Sequence, residues 1–95
     1  MESYRLKLYI TGQTTNSDQA IENLRYLFDQ SGVNYELSIV DVLEHPQLAE
    51  EDKVLATPTL IKISPLPVRR ISGDLSNLDR VIVGLGLYNF QIKSH

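Results

Sequence analysis

The stretch LATPTLIKIS, residues 55–64, places Thr-Pro-Thr directly before an apolar run rich in isoleucine and leucine. Proline lacks a backbone N–H, so within a sheet it is confined to the first residue of a strand, to an edge or to a bulge. X-Pro bonds are also the only common cis peptides in proteins. The stretch therefore predicts a strand over Thr59–Ser64 that the chain enters through a tight proline turn.

The chain before this turn predicts a strand and then a helix. Residues Tyr4–Thr11 alternate, which indicates a strand with one buried face. Apolar residues then recur at helical spacing over residues 20–28. We expect Asn16 or Ser17 to cap this helix and Gly32 to end it.

A second strand is predicted at Tyr35–Val42, with apolar content that rises toward its end, as in a strand buried on both faces. Two strands joined by one helix over so little chain favour a right-handed parallel βαβ unit. Pro46 suits the first position of a second helix, which we expect to run through residues 47–56. Its exposed side would carry Glu50, Glu51 and Asp52, and its inner side Leu48, Val54 and Leu55.

The chain after Ser64 predicts a fourth strand and a third helix. VRRISG, residues 68–73, follows a proline-flanked turn and favours a strand antiparallel to the third. Residues 76–79, Ser-Asn-Leu-Asp, have the form of a capping box that would begin the helix. The order β-α-β-α-β-β-α, with Thr-Pro before the third strand, is the plan of the thioredoxin-like fold. We therefore predict an α/β, thioredoxin-like fold in a single domain over residues 1–95.

Composition limits the class of function. The formal net charge of −3, from nine basic and twelve acidic residues, offers no broad basic surface for nucleic acid or an anionic membrane. No apolar run approaches a membrane span, and MESYRLKLYITG lacks a secretory apolar region, so we expect a cytoplasmic protein. The absence of cysteine excludes disulfides, cysteine-ligated metals and thiol chemistry.

Residues that could carry catalysis or bind a metal are few. The two histidines, His45 and His95, have no HxxxH or HExxH spacing, so we expect neither a metal nor a cofactor. A hydroxyl in TGQTTNS could act as a nucleophile only beside a base. A thiol-free enzyme of glutathione-transferase type remains an alternative, and it predicts glutathione binding near Thr14–Ser17 and Pro58.

Two charged clusters are candidate binding surfaces. The acidic run at residues 50–52 is either a solvated helix face or a docking patch. Arg69 and Arg70 could hold a phosphate or carboxylate bidentately, or they could be edge-strand charges that block pairing between sheets.

The end of the third helix carries conflicting local signals. Gly84 and Gly86 weaken a helix by roughly 1 kcal/mol each relative to alanine, and Ile82 and Val83 favour strands. Two packings separated by a few kcal/mol are enough for fold switching. We therefore hypothesise that the run LDRVIVGLGLYNF, residues 78–90, can form either a helix or a strand.

Three stretches of the sequence resemble the KaiB family of cyanobacterial clock proteins. They are KLYITG at residues 7–12, DVLEHPQLAEEDKVLATPTLIKISPLPVRRISGDLSN at residues 41–77 and VIVGLGL at residues 81–87. The resemblance implies a binding protein and no enzyme. It also implies two states, a homotetramer whose C-terminal half packs in a way unique to the family and a thioredoxin-like monomer. The monomer would dock on the ATPase ring of KaiC, capture KaiA, compete with SasA and engage CikA.

The resemblance also implies site residues. The partner-binding residues it implies are Gln47, Glu51, Asp52, Lys53, Arg69 and Arg70. The fold-switch residues it implies are Pro58 at the hinge, Gly84, and Gly86, which stands where the best-known clock members carry Asp.

Other positions depart from the family pattern. Glu36 and Ser38 replace a small residue and a lysine near the contacts with KaiA and KaiC, and the tail YNFQIKSH is not acidic. The departures fit a divergent member of the family. An alternative function is an interaction or sensory module in a stress response or in a two-component pathway without KaiA.

Overall fold

Seven elements follow one another in the predicted order in a computed structural model that describes residues 3–12 and 14–87. The elements are β1 Ser3–Ile10, α1 Thr15–Ser31, β2 Asn34–Asp41, α2 Pro46–Glu51, β3 Thr59–Ser64, β4 Arg69–Ser72 and α3 Leu78–Leu85. The third strand has the predicted bounds, and the Thr57-Pro58 bond before it is cis. The tail YNFQIKSH, with His95, lies outside the described residues.

The strands form one sheet in the order β2-β1-β3-β4. β1 and β2 are parallel, in register from Ser3 opposite Asn34 to Ile10 opposite Asp41, which confirms the parallel arrangement of the βαβ unit. β3 runs antiparallel to both β1 and β4. The sheet is therefore mixed, with β1 and β3 in the centre and β2 and β4 at its edges.

Helices cover both faces of this sheet. The larger core lies between the sheet and the helices α1 and α3, and it includes Leu6, Leu8, Leu24, Phe28, Leu60, Val81 and Leu85. A smaller core on the opposite face joins Tyr9, Val40 and Ile61 to residues of α2 and the turn after it. Because Tyr9 is fully buried there, the prediction that β1 buries only one face was incomplete.

The structure corrects the predicted burial of β2 and the length of α2. β2 is an edge strand in which Ile39 is exposed and only Val40 is buried, so burial on both faces was wrong. α2 ends at Glu51 because the chain turns into the left-handed region at Lys53, where φ is 55°. Leu55 consequently points to solvent with 97% of its surface exposed and does not reach the core.

The caps of α1 and α3 also differ from the prediction, by two or three residues in α1 and by one residue in α3. Thr14 caps α1: its hydroxyl accepts from the backbone of Ser17 at 3.1 Å, and the Ser17 hydroxyl accepts from the backbone of Thr14 at 2.8 Å. Asn77 caps α3, because its side-chain oxygen accepts from the backbone N–H of Arg80 at 3.1 Å. Ser, Thr and Asn are all favoured at N-caps and two or more of them lie side by side at both helix starts, so the local sequence does not fix which of them is the cap.

Gly84 and Gly86 have separate structural roles in α3. An added Cβ at Gly84 would lie 3.0 Å from Cδ1 of Ile71, so its absence lets α3 approach β4 closely. Gly86 ends the helix in the left-handed conformation, with φ at 70°. Its N–H donates to Val83 and the next N–H donates to Ile82, the paired bonds of a Schellman motif.

The close contact at Gly84 predicts the effect of adding a methyl group. Gly84→Ala should lower the free energy of unfolding by about 1 kcal/mol, because overpacking outweighs the gain in helix propensity. Ile71→Val removes the nearest atom, so the double variant should lose less than the sum of the single losses by at least about 0.5 kcal/mol. Urea denaturation measures the free energy of unfolding of the two single variants and of the double variant. Val83→Ala, at an exposed position of the same helix, is the control. A loss in the double variant equal to the sum of the two single losses would contradict the prediction.

Candidate functional site

The candidate site is the C-terminal end of α2, which polar groups of the sheet hold in place. α2 has six residues, none of them fully buried, and His45 gives it no side-chain cap at the N-terminus. Lys7, Tyr9 and Arg70 all lie on the sheet face beneath it, since Lys7 and Arg70 both pair with Ile61. All three direct their polar atoms at residues 48–53.

Asp52 is the centre of this arrangement. The Tyr9 hydroxyl donates to its carboxylate and also lies 3.1 Å from the carbonyl oxygen of Leu48. The Lys7 ammonium donates to the same carboxylate oxygen at 3.1 Å. The carboxylate is therefore half-buried and committed to the sheet, and the prediction that Asp52 lies on the exposed side of α2 was wrong.

The contact between Asp52 and Tyr9 shifts the pKa of each of the two groups. Donation from Tyr9, reinforced by Lys7, lowers the pKa of the Asp52 carboxyl. Burial, followed by the hydrogen bond to Asp52, raises the pKa of the Tyr9 phenol above its ordinary range. Asp52 is therefore an anion and Tyr9 a neutral donor across the physiological range.

Lys53 ends α2 in a conformation that usually belongs to glycine. Its N–H donates to Glu50 and that of Val54 donates to Ala49, the paired bonds of a Schellman motif. The other helices end with Gly32 and Gly86 in the left-handed region, and Lys53 is the one non-glycine residue with positive φ in the described part of the chain. The Lys53 side chain is exposed.

Arg70 closes the site from β4. Its guanidinium donates to the backbone carbonyl of Asp52 at 2.6 Å and to that of Lys53 at 3.2 Å. Arginine suits this position, because carbonyls at a helix C-terminus lack partners within the helix and attract cations.

The structure brings together only some of the residues that the sequence singled out. Asp52, Lys53 and Arg70 are in contact, and Gln47 and Glu51 lie nearby as exposed residues of α2. Arg69 does not join them: it pairs with Lys62 on the other face of the sheet.

Sequence reasoning missed Lys7 and Tyr9. The predicted alternation of Tyr4–Thr11 puts Lys7 and Tyr9 on the strand face opposite Leu6 and Leu8, and the prediction of one buried face leaves that side exposed. A large aromatic residue at Tyr9, near the end of the strand, was the available signal that the second face is buried there.

The cavity expected for a glutathione-type enzyme contains no activated hydroxyl. A cavity of about 170 Å³ is lined by residues that include Thr14, Ser17, Thr57 and Pro58. Ser17 is committed to the helix cap, and the hydroxyls of Thr11 and Thr57 bond each other at 2.6 Å. No histidine or carboxylate in residues 3–12 and 14–87 bonds these hydroxyls, and no group of three potential metal ligands occurs there.

Comparison with known proteins shows the family. The family model described as KaiB domain matches residues 7–87. The chain belongs to the KaiB family. The circadian clock oscillator protein KaiB of Prochlorococcus marinus (strain MIT 9303) is 57% identical over 94 residues, 97% of this chain and 78% of that protein. KaiB1 of Synechocystis sp. (strain ATCC 27184) is 52% identical over 94 residues, covering 97% and 89%.

Solved structures confirm the α/β, thioredoxin-like fold. The N-terminal domain of Synechococcus elongatus SasA superposes with a TM-score of 0.73 at 22% identity, covering 98% of this chain and 91% of that one. Mitochondrial thioredoxin 3 of Saccharomyces cerevisiae gives a TM-score of 0.68 at 19% identity, covering 87% and 76%.

The named relatives are clock oscillator proteins, so this KaiB-family chain is a clock protein of a regulatory family and not an enzyme. The prediction of a non-enzymatic clock protein is confirmed. Within the described residues, no helix combines the length and apolar character that crossing a membrane requires.

Removing the Tyr9 hydroxyl should loosen α2. Tyr9→Phe is expected to lower the free energy of unfolding by about 1–2 kcal/mol, because a buried hydroxyl loses its bond to a charged acceptor. Urea denaturation measures the loss. Tyr35→Phe is the matched control, since the Tyr35 hydroxyl bonds Asp29 at 2.9 Å in an exposed position and should contribute less than about 0.5 kcal/mol. Equal losses in the two variants would contradict the role of Tyr9.

The lowered pKa of Asp52 makes stability depend on pH in a defined direction. A depressed folded-state pKa contributes stability that is present above the unfolded-state value, near 3.9, and is lost as pH falls below it. Asp52→Asn should therefore cost about 1 kcal/mol near pH 7 after solvent screening. The difference from the parent should shrink at about pH 3, measured by urea denaturation at both pH values. A pH-independent difference would refute the assignment.

Proposed function

We propose that this chain is a KaiB-type clock regulator that binds the ATPase ring of KaiC, modulates KaiC phosphorylation and sequesters KaiA where KaiA is present. The observation that carries the proposal is Lys53, a lysine held in a left-handed conformation on an exposed turn. Such a conformation costs a non-glycine residue roughly 1–2 kcal/mol, and strained positions of this kind cluster at functional sites. A charged side chain retained there at a cost to stability supports a docking role.

The surroundings of Lys53 fit a protein interface. Gln47 and Glu51 are exposed on the same short helix, and Leu55 leaves an apolar side chain in solvent immediately after the turn. Charged residues around an exposed apolar side chain are typical of a docking surface with a polar rim. We propose that Gln47, Glu51 and Lys53 face KaiC, with Asp52 holding the turn from behind.

The family resemblance adds a second state to this proposal. The thioredoxin-like arrangement described here would be the KaiC-binding state, and a homotetramer with a repacked C-terminal half would be the other. Pro58 would lie at the hinge between the halves. Gly86 supports α3 in the thioredoxin-like state, because an aspartate at that position would have to adopt the left-handed conformation. Further partners proposed from the resemblance are SasA and CikA.

A narrower role without KaiA is the second candidate. Glu36 stands on the exposed edge strand β2 and pairs with Arg5 at 3.7 Å, where the resemblance implies a small residue near the KaiA contact. This charge favours an interaction or sensory module that retains the α2 surface and lacks KaiA binding.

Lys53→Gly should separate stability from binding. Glycine adopts the left-handed turn without strain, so the free energy of unfolding should rise by up to about 1 kcal/mol. Binding to a KaiC hexamer should weaken, because the docking charge is gone. Lys53→Arg keeps the charge and the strain, and should bind as the parent does.

The measurement is size-exclusion chromatography with light scattering after long incubation with KaiC hexamer and ATP. Co-elution of the parent and of Lys53→Arg, with loss of co-elution for Lys53→Gly, supports the proposal. Failure of the parent to co-elute would refute KaiC binding, and undiminished binding of Lys53→Gly would refute the role of Lys53.

A further inference from the structure

We propose that the adjacent arginines of β4 have different roles: Arg70 is a positioning residue that holds the docking turn of α2, and Arg69 is the arginine that contacts the partner. The assignment rests on the proposed function, since it gives the two arginines separate roles in the binding of KaiC. It replaces the expectation that the pair binds one anion together.

The alternation of β4 separates the two side chains. Arg70 is opposite Ile61, a member of the small core beneath α2, whereas Arg69 is opposite Lys62. Successive side chains of a strand project from opposite faces of the sheet. The two guanidinium groups therefore start on different faces, and a single phosphate or carboxylate between them is disfavoured.

Arg70 acts on the backbone of the docking turn. Its two terminal nitrogen atoms donate to the carbonyl of Asp52, the C-cap of α2, and to the carbonyl of Lys53, the left-handed residue that follows it. The planar fork of a guanidinium can hold two acceptors in one geometry, which a single ammonium does less well. Arg70 thereby fixes the peptide units on both sides of the Lys53 Cα and so sets the direction of the Lys53 side chain.

The rest of α2 offers few other restraints. The helix has six residues and none of them is fully buried. A helix this short is not stable by itself, so tertiary contacts must hold it. Tyr9 and Lys7 bind the Asp52 side chain, and within the described residues Arg70 supplies the side-chain bonds to the carbonyls of the turn.

The Arg69 side chain, unlike that of Arg70, holds no part of α2. Its side chain is exposed, and it makes no hydrogen bond or ion pair with residues 3–12 or 14–87. An exposed, uncommitted guanidinium at a sheet edge is suited to bidentate recognition of a carboxylate. We assign Arg69 to a carboxylate-bearing surface of the partner.

Arg70→Gln and Arg69→Gln form a matched pair for the test, because each removes one charge from the same strand. Amide hydrogen exchange of the free protein reports on the turn through the N–H groups of Lys53 and Val54, which are bonded within it. Arg70→Gln should speed their exchange by about tenfold, and Arg69→Gln should leave it unchanged. The amides of β3 serve as the internal reference that the fold is intact.

A second substitution that restores slow hydrogen exchange in the turn would show that Arg70 acts by positioning the turn. In an Arg70→Gln/Lys53→Gly double variant, glycine holds the left-handed turn without help, so exchange at residues 53 and 54 should return toward the parent rate. Unchanged exchange in Arg70→Gln, or no return in the double variant, would overturn the positioning role of Arg70.

Affinity for the KaiC hexamer at low and high salt tests the other half of the assignment. Arg69→Gln should weaken binding mostly at low salt and so flatten the salt dependence, since it removes a charge at the rim of an interface. Arg70→Gln should weaken binding by about tenfold at both salt concentrations, because the loss is conformational. The reverse pattern would overturn the assignment.

A parent protein that fails to bind KaiC would refute the proposed function and the contact assigned to Arg69 with it. The exchange measurements on the free protein would still decide whether Arg70 positions the turn.

Discussion

The hydrogen bond between the Tyr9 hydroxyl and the Asp52 carboxylate is the interaction on which the rest of the site depends. It links the centre of the sheet to the end of a helix that has no fully buried residue of its own. Lys7 neutralises the carboxylate, and Arg70 binds the adjacent carbonyls. Without this polar contact, α2 would be held by the small core around Val40 and Ile61 and by the bonds from Arg70.

Two adjacent residues at the end of α2, Asp52 and Lys53, have opposite effects on stability. Asp52 faces inward and stabilises the turn, whereas Lys53, its neighbour, faces outward in a conformation that costs stability. The same motif ends α3, where Gly86 occupies the left-handed position without strain. The contrast between the helix ends is physical support for a role of the Lys53 side chain outside its own chain.

The sheet explains why the proposed change of packing would concern the C-terminal half. β1, α1 and β2 form a parallel unit with its own apolar face, so they can remain together. β4 has four residues at the sheet edge and contacts α3 through Ile71 and Gly84. A four-residue edge strand pairs with one neighbour only, so it can leave the sheet at a smaller cost in free energy than a central strand, which pairs on both sides.

The sequence by itself determined the order of the elements, the parallel βαβ unit, the proline turn before β3 and the family. Periodicity, capping residues and proline act over a few neighbouring positions, so they can be interpreted without coordinates. Only the tertiary structure decided that Tyr9 is buried, that Asp52 turns inward and that Arg70 lies on the face that α2 covers. Each depends on which helix covers which face of the sheet, and on where β2 and β4 lie within it. Those are long-range arrangements that no local pattern encodes.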